Sequence, residues 1–296
     1  MTNWLSRFIL LTGVFTFSCI HFAQAQLTDL AKLEYSFIPS SKSEDQYTRL
    51  RASLNFPIRI KDKDYLIVGG EYNRIILNLE DEYPFNTNEI KTLHIIDFSL
   101  GYTFKCKNDW RLGLNINPRI ASTLTTSITG NDLFLNGGIF AIKDRTSATD
   151  IDRPYRLVLG LTYNTTAGLP FPLPFVSYYR RVNKNWSFNL GVPKSNLKYF
   201  FDEKSMLQVF AALDGYFANI QQPFDVNGQL VDNISLSLAV AGVGYEYCFT
   251  KHLVAYTYLG YTFRLNNVLR NGDRDEIFGL NELNAFYLRS GIKFKI

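Results

Sequence analysis

Apolar and polar positions alternate one for one along most of this chain. At its end, NAFYLRSGIKFKI (284–296), Phe286, Leu288, Ser290, Ile292, Phe294 and Ile296 fall on one side. Tyr287, Arg289, Gly291, Lys293 and Lys295 fall on the other. The same pattern runs through 48–60, where Leu50, Ala52, Leu54, Phe56, Ile58 and Ile60 alternate with Arg49, Arg51, Ser53, Asn55, Pro57 and Arg59. It recurs in 96–105, 155–164 and 253–266. A period of two marks strands with unlike faces. It predicts about fourteen of them, near 27–38, 47–60, 65–78, 91–105, 110–124, 132–143, 154–164, 173–182, 186–192, 195–201, 206–218, 232–249, 252–268 and 282–296. The part after residue 25 shows no convincing amphipathic helix.

Strand length separates two architectures. Strands of globular sheets usually run five or six residues. A tilted strand that crosses a bilayer needs roughly 9–11, and most of these segments reach that. The links agree. KDKD (61–64), KCKND (105–109), VNKN (182–185), DEKS (202–205) and FTKH (249–252) are short, and 39–46, 79–90, 165–172, 219–231 and 269–281 are long. With both termini periplasmic, all of those short turns fall inside and all of those long links outside, as in outer-membrane barrels. The long link 144–153 and the short VPKS (192–195) break the rule, and the shortest strands flank VPKS, so twelve strands is the alternative count. In hydrocarbon every backbone N–H and C=O must be paired and an open sheet edge is excluded. The expected fold is therefore all-β: an antiparallel up-and-down transmembrane β-barrel of about 14 strands.

Composition sharpens this. Phe and Tyr number 24 and 18 against 2 Met, which favours strands over helices. After the N-terminal region no apolar run approaches the ~20 residues of a spanning helix. A net charge of +4 is too small to indicate nucleic acid. At the N-terminus, Arg7, the apolar run 8–17 and AQA (23–25) make a secretory signal peptide cut after Ala25, leaving 26–296 as the barrel. Cys106 and Cys248 then remain, read as two separate thiols. Trp110 and Trp186 each follow a short turn, where an interfacial aromatic belt is expected.

The alternating apolar end of the last strand resembles the C-terminal signal that outer-membrane barrels present to their insertion machinery, with Ile296 in place of the more usual Phe. LGVPKSNLKYFF (190–201), with Leu190-Gly191-Val192-Pro193, Leu197 and Tyr199, resembles uncharacterised outer-membrane β-barrel families of Gram-negative bacteria. That resemblance implies the fold and an outer-membrane location, with no assigned activity or site.

Candidate chemistry lies on the inward parity. Arg49, Arg51, Arg59, Arg111, Arg156, Arg264 and Arg289 share it, with Glu34, Asp97 and Asp214 as counter-charges. Lys293 shares it too, and Glu71 and Arg74 are candidates to join. Rings of Arg or Lys select anions, and a polar lumen laced with ion pairs is the plain alternative. His94 falls on the lipid side and His252 in a turn, and the chain carries no hydrolase, zinc-protease or C-x-x-C motif. The carboxylates at 80–82 and in NGDRDE (271–276) read as solvated loops, and DVNG (225–228) matches only a fragment of a calcium loop. The expected function is a passive or selective channel for small solutes, anionic ones included, with no enzyme activity, metal or cofactor. A closed barrel with a structural or surface role is the alternative. A barrel enzyme acting on lipid is the third reading. Outer-membrane lipid and the insertion machinery are the expected partners.

Overall fold

In the computed structural model, residues 29–40, 43–61, 64–148, 154–164, 171–281 and 284–295 are described. The expected signal peptide and Ile296 lie outside these. The strands are β1 (Ala31–Ile38), β2 (Gln46–Lys61), β3 (Asp64–Asn78), β4 (Thr92–Lys105), β5 (Trp110–Ser122), β6 (Leu133–Asp144), β7 (Tyr155–Asn164) and β8 (Phe171–Arg181). They continue as β9 (Trp186–Val192), β10 (Lys194–Phe200), β11 (Ser205–Val226), β12 (Gln229–Cys248), β13 (Leu253–Arg270), β14 (Glu276–Gly279) and β15 (Phe286–Phe294). Each strand up to β13 pairs antiparallel with the next. β13 pairs with β15, and β15 with β1, which closes the ring. β14 is a short strand in the β13–β15 link that folds back on β13, so the barrel wall has fourteen strands.

The outward parity is apolar along most of its length. Leu54, Phe56, Phe98, Leu114, Leu135, Leu161, Leu190, Val209, Leu259 and Phe286 are all exposed on it. An exposed belt of this kind is unsuited to water and suited to lipid. Near the short turns it carries aromatics. Trp110 lies 5.5 Å from the Lys143 ammonium, and Trp186 packs on Tyr199 at 4.9 Å.

The long links hold one difference from expectation. Residues 219–231 are not a loose loop. β11 and β12 run on to a two-residue turn, with positive φ at Asn227 (55°) and Gly228 (82°). That is a type I′ hairpin, and Asp225 accepts the Gly228 amide at 2.8 Å, so DVNG is a turn. The polar tip of this hairpin hid its strand character.

Strand lengths are very uneven. β11, β12 and β13 have 22, 20 and 18 residues, whereas β9 and β10 have 7 each. β10 begins with Lys194 opposite Ala212, so β11 continues from Leu213 to Val226 beyond its neighbour. Left without that partner, β11 turns in across the mouth and meets β5, where Asn219 pairs with Ser122. The ring thus closes twice. All fourteen strands close at membrane level, and above it β5 meets β11 directly and bypasses β6–β10.

The upper, smaller ring holds an apolar core. Ile38, Tyr47, Ile75, Leu77, Leu93, Ile95, Tyr216, Ile220, Leu236 and Leu238 are buried in it, and Tyr47 stacks on Tyr216 at 6.3 Å. Above them Phe85 of the β3–β4 link, Phe224 of β11 and Phe278 of β14 meet, with centroids 5.0 and 5.6 Å from Phe85. On the other side of β11, Phe134 of β6 packs edge-on against Phe217 at 5.6 Å. Replacing Phe217 with Ala removes a fully buried ring, and such truncations cost about 3–5 kcal/mol. Guanidinium unfolding of the refolded barrel is expected to show that loss. An unchanged midpoint would mean that β11 does not pack against β6.

Candidate functional site

The inward face of the membrane-level ring has two unlike halves. On β1–β3 and β11–β15 the inward charged side chains, buried or half-buried, gather into ion pairs, which Lys198 of β10 joins. On β5–β10 the inward polar side chains are mostly half-buried, with Asn136 and Ser187 buried.

The paired half is built by register. Glu34, Arg51 and Asn73 lie side by side across β1, β2 and β3, and Arg289 of β15 faces Ser36 of β1. Arg49 bonds Asp214 at 2.9 Å, and Arg289 bonds the other oxygen of Asp214. Arg51 reaches Glu34 and Glu71, each at 3.3 Å. Arg49 and Arg51 also both donate to Asn73 Oδ1 at 2.9 Å. Tyr256 donates to Glu34 at 2.7 Å. Beside this group, Glu246 accepts from Lys198 (2.8 Å), Lys293 (3.1 Å), Gln208 (2.9 Å) and Tyr258 (3.0 Å). Buried carboxylates persist when their oxygens are met by charged donors in this way.

The sequence-derived candidates therefore separate. Arg49, Arg51, Arg289, Glu34 and Asp214 come together in one network. Asp97 pairs instead with Arg119, which parity reading had passed over, through two bonds of 2.6 and 2.9 Å. Arg111 donates to Thr103 at 3.1 Å and lies over the Tyr65 ring. Arg156 lies over Tyr179. Arg59 is exposed at the short-turn rim and bonds the Lys61 carbonyl. Arg264 shares the inward parity but bonds the Leu280 carbonyl, and so holds the β13–β15 link to the wall. Glu71 is inward; Arg74 pairs in register with His94 and lies on the outer parity with Tyr72. Lys194, Lys198, Gln208 and Glu246 were missed. They alternate with Leu197, Tyr199, Leu207 and Tyr245, so the signal was present in strands whose short or tyrosine-rich sequence obscured it.

Charge does not balance in the network. Four carboxylates, Glu34, Glu71, Asp214 and Glu246, face seven cations, Lys32, Arg49, Arg51, Lys194, Lys198, Arg289 and Lys293. The excess is three positive charges. The β5–β10 wall adds Arg111, Arg156 and Asp144, the last two in register with each other, and Arg119, which pairs with Asp97, among Asn115, Asn117, Thr162, Ser177, Asn189 and Asn196.

Neither described histidine sits in a catalytic arrangement. His94 Nδ1 meets the Tyr72 hydroxyl at 2.8 Å on the outer face, and His252 Nδ1 meets the Lys295 carbonyl at 3.0 Å. Cys106 and Cys248 are both free thiols. Among the described residues no group of three His, Cys, Asp or Glu side chains is placed to hold a metal ion.

The mouth has its own polar clasps. Buried Asp45 accepts the Glu80 amide at 2.8 Å and the Tyr83 hydroxyl. Asp132, in the β5–β6 link, accepts from Asn219 and Gln221 of β11, each at 2.8 Å, and from the Thr129 amide at 2.7 Å. Burial pushes the Asp132 carboxyl up, but donors from Ser122, Thr129, Gln221 and Asn219 outweigh it and hold the group below the usual aspartate range.

The family model of DUF6268, a domain of unknown function, matches residues 21–295. The chain belongs to that family. No curated protein matches it. Among solved structures, it is similar to an outer membrane channel from Pseudomonas putida F1, with 9% identity and a TM-score of 0.44 over 94% of this chain and 100% of the other. The NanC porin is 11% identical, with a TM-score of 0.38 over 90% of this chain and 100% of that one. The toluene transporter TodX of Pseudomonas putida is 10% identical, with a TM-score of 0.34 over 91% and 90%. The fold rests on the chain's own strand register.

Two outcomes follow for this DUF6268 barrel. Arg119→Ala leaves Asp97 buried without its partner, and breaking a buried pair costs about 3–5 kcal/mol. The double change with Asp97→Ala is expected to cost less than the sum, which a double-mutant unfolding cycle measures; strict additivity would refute the coupling. For Asp132, a lowered pKa gives stability that is complete above the ordinary aspartate value, about 3.9, and is lost as pH falls through the lower folded value. Hydrogen-exchange protection of the Thr129 amide should hold from pH 7 to about that value and fall only below it. A fall already complete by neutral pH would contradict the clasp.

Proposed function

We propose that this protein is a passive outer-membrane channel for small anionic solutes. Its path runs along the β5–β10 side of the lumen. One observation carries the reading: the ion-pair network holds three more cations than carboxylates, and the β5–β10 wall beside it carries half-buried polar side chains, Arg111 and Arg156 among them. Rings of Arg or Lys favour anions, and a lumen lined by amides and hydroxyls hydrates a passing solute. The apolar belt with its aromatic rim supports insertion in the outer membrane, with lipid as the surrounding partner. The reading assigns no catalytic group, metal or cofactor.

A second reading has a specific observation behind it. The apolar core of the upper ring fills the space between β1–β5 and β11–β13, where an axial pore would run. A barrel sealed there acts as a surface-interaction or structural element through its outer links.

Planar-bilayer recording of the refolded barrel tests the choice. The expected result is steady steps with a reversal potential favouring anions in a salt gradient. Arg111→Gln with Arg156→Gln should shift that potential toward zero while keeping the steps, since both cations point inward on the wall assigned to the path. A folded barrel that passes no current would overturn the channel and leave the sealed reading.

A further inference from the structure

Arg49, Arg51, Lys198, Arg289 and Lys293 form ion pairs with carboxylates. Among the described residues Lys194 forms none. It is the first residue of β10, inward-facing and half-buried. Its ammonium lies over the rings of Tyr258 and Phe210, 5.0 and 5.5 Å from their centroids. Those rings pack on each other at 5.3 Å and fix the platform. An ammonium carries three donors, and ring faces attract its charge without accepting those bonds conventionally. Among the described residues no carboxylate or other acceptor is within bonding distance of Lys194 Nζ. Glu246, the acid on this side of the lumen, is already met by Lys198 and Lys293.

The neighbours of Lys194 on the same face are also donors. Asn196 and Lys198 follow at alternate positions, and each two-residue step spans about 7 Å. Asn196 is half-buried, and its amide makes no side-chain hydrogen bond to another described residue. Asn189 donates to the Lys194 carbonyl at 2.9 Å and accepts from Ser177 at 2.6 Å, which holds the start of β10 in place. A partly desolvated cation with open donors, backed by aromatic faces and set in a positive field, is arranged for an anion.

We propose that Lys194, with Asn196 and Lys198, forms a binding site for the oxyanion group (carboxylate, sulfate or phosphate) of a small solute in the lumen. This deepens the channel reading and rests on the same inward placement of β10, but it is measured by binding and not by current. The probe is inorganic sulfate, titrated calorimetrically into the refolded barrel in neutral detergent at low ionic strength. Wild type and Lys184→Met, altered only in an exposed turn, should bind equally. Lys194→Met should bind about tenfold more weakly, the loss expected for a hydrogen bond to a charged group. Lys194→Arg, which keeps the charge, should restore most of the affinity. Circular dichroism checks that each variant keeps its strand content, and Asn196→Ala, expected to weaken binding in the same direction, gives a second reading should Lys194→Met fail to fold. Absence of sulfate binding by wild type, or equal binding by folded Lys194→Met, overturns the site. A barrel that binds sulfate through Lys194 yet passes no current keeps the site and removes the channel.

Discussion

Everything in this molecule depends on pairing the backbone in a medium that offers it no partner. A strand exposed to hydrocarbon cannot leave a row of N–H and C=O groups open, because each costs several kcal/mol unpaired. The pairing of β1 with β15 discharges that constraint: Ala31 meets Phe294, and the two ends of the chain become the seam of one ring. Once the ring is closed, the two-residue period sends every second side chain to lipid and every other one to the lumen. The apolar belt and the polar interior are consequences of closure joined to alternation.

Closure also explains the shape of the mouth. β9 and β10 are too short to rise with β11, so β11 emerges past its last bond to that hairpin, from Leu213 N–H to the Pro193 carbonyl, without a strand beside it on that edge. It meets that need by leaving the wall and crossing to β5. The residues from Gly215 to Ile220 are buried on both faces as a result, and apolar side chains that would otherwise line a wide vestibule pack into a core. Clasps from Asp45 and Asp132 fasten the outer links to this packed end. One short hairpin at Pro193 thus leaves β11 to cross to β5 and to pack the core of the upper ring.

The interior shows what happens to charge in such a space. Carboxylates are satisfied by more than one cation each, as at Asp214 and Glu246, so the network is rigid and net positive.

The sequence alone determined the strand class and the two faces, and indicated about fourteen strands with twelve as the alternative, because alternation and length are local properties that any strand carries in its own residues. It also placed Arg49, Arg51, Glu34 and Asp214 inside. Tertiary structure decided which of them meet: Asp97 turns to Arg119, Arg264 to a link, and Glu246 gathers Lys198 and Lys293 from strands far apart in the chain. It decided, too, that 219–231 continues a hairpin and that β11 bridges to β5. Parity reports only in or out. Depth, partner and filling follow from register and relative strand length around a closed ring, which no single segment encodes.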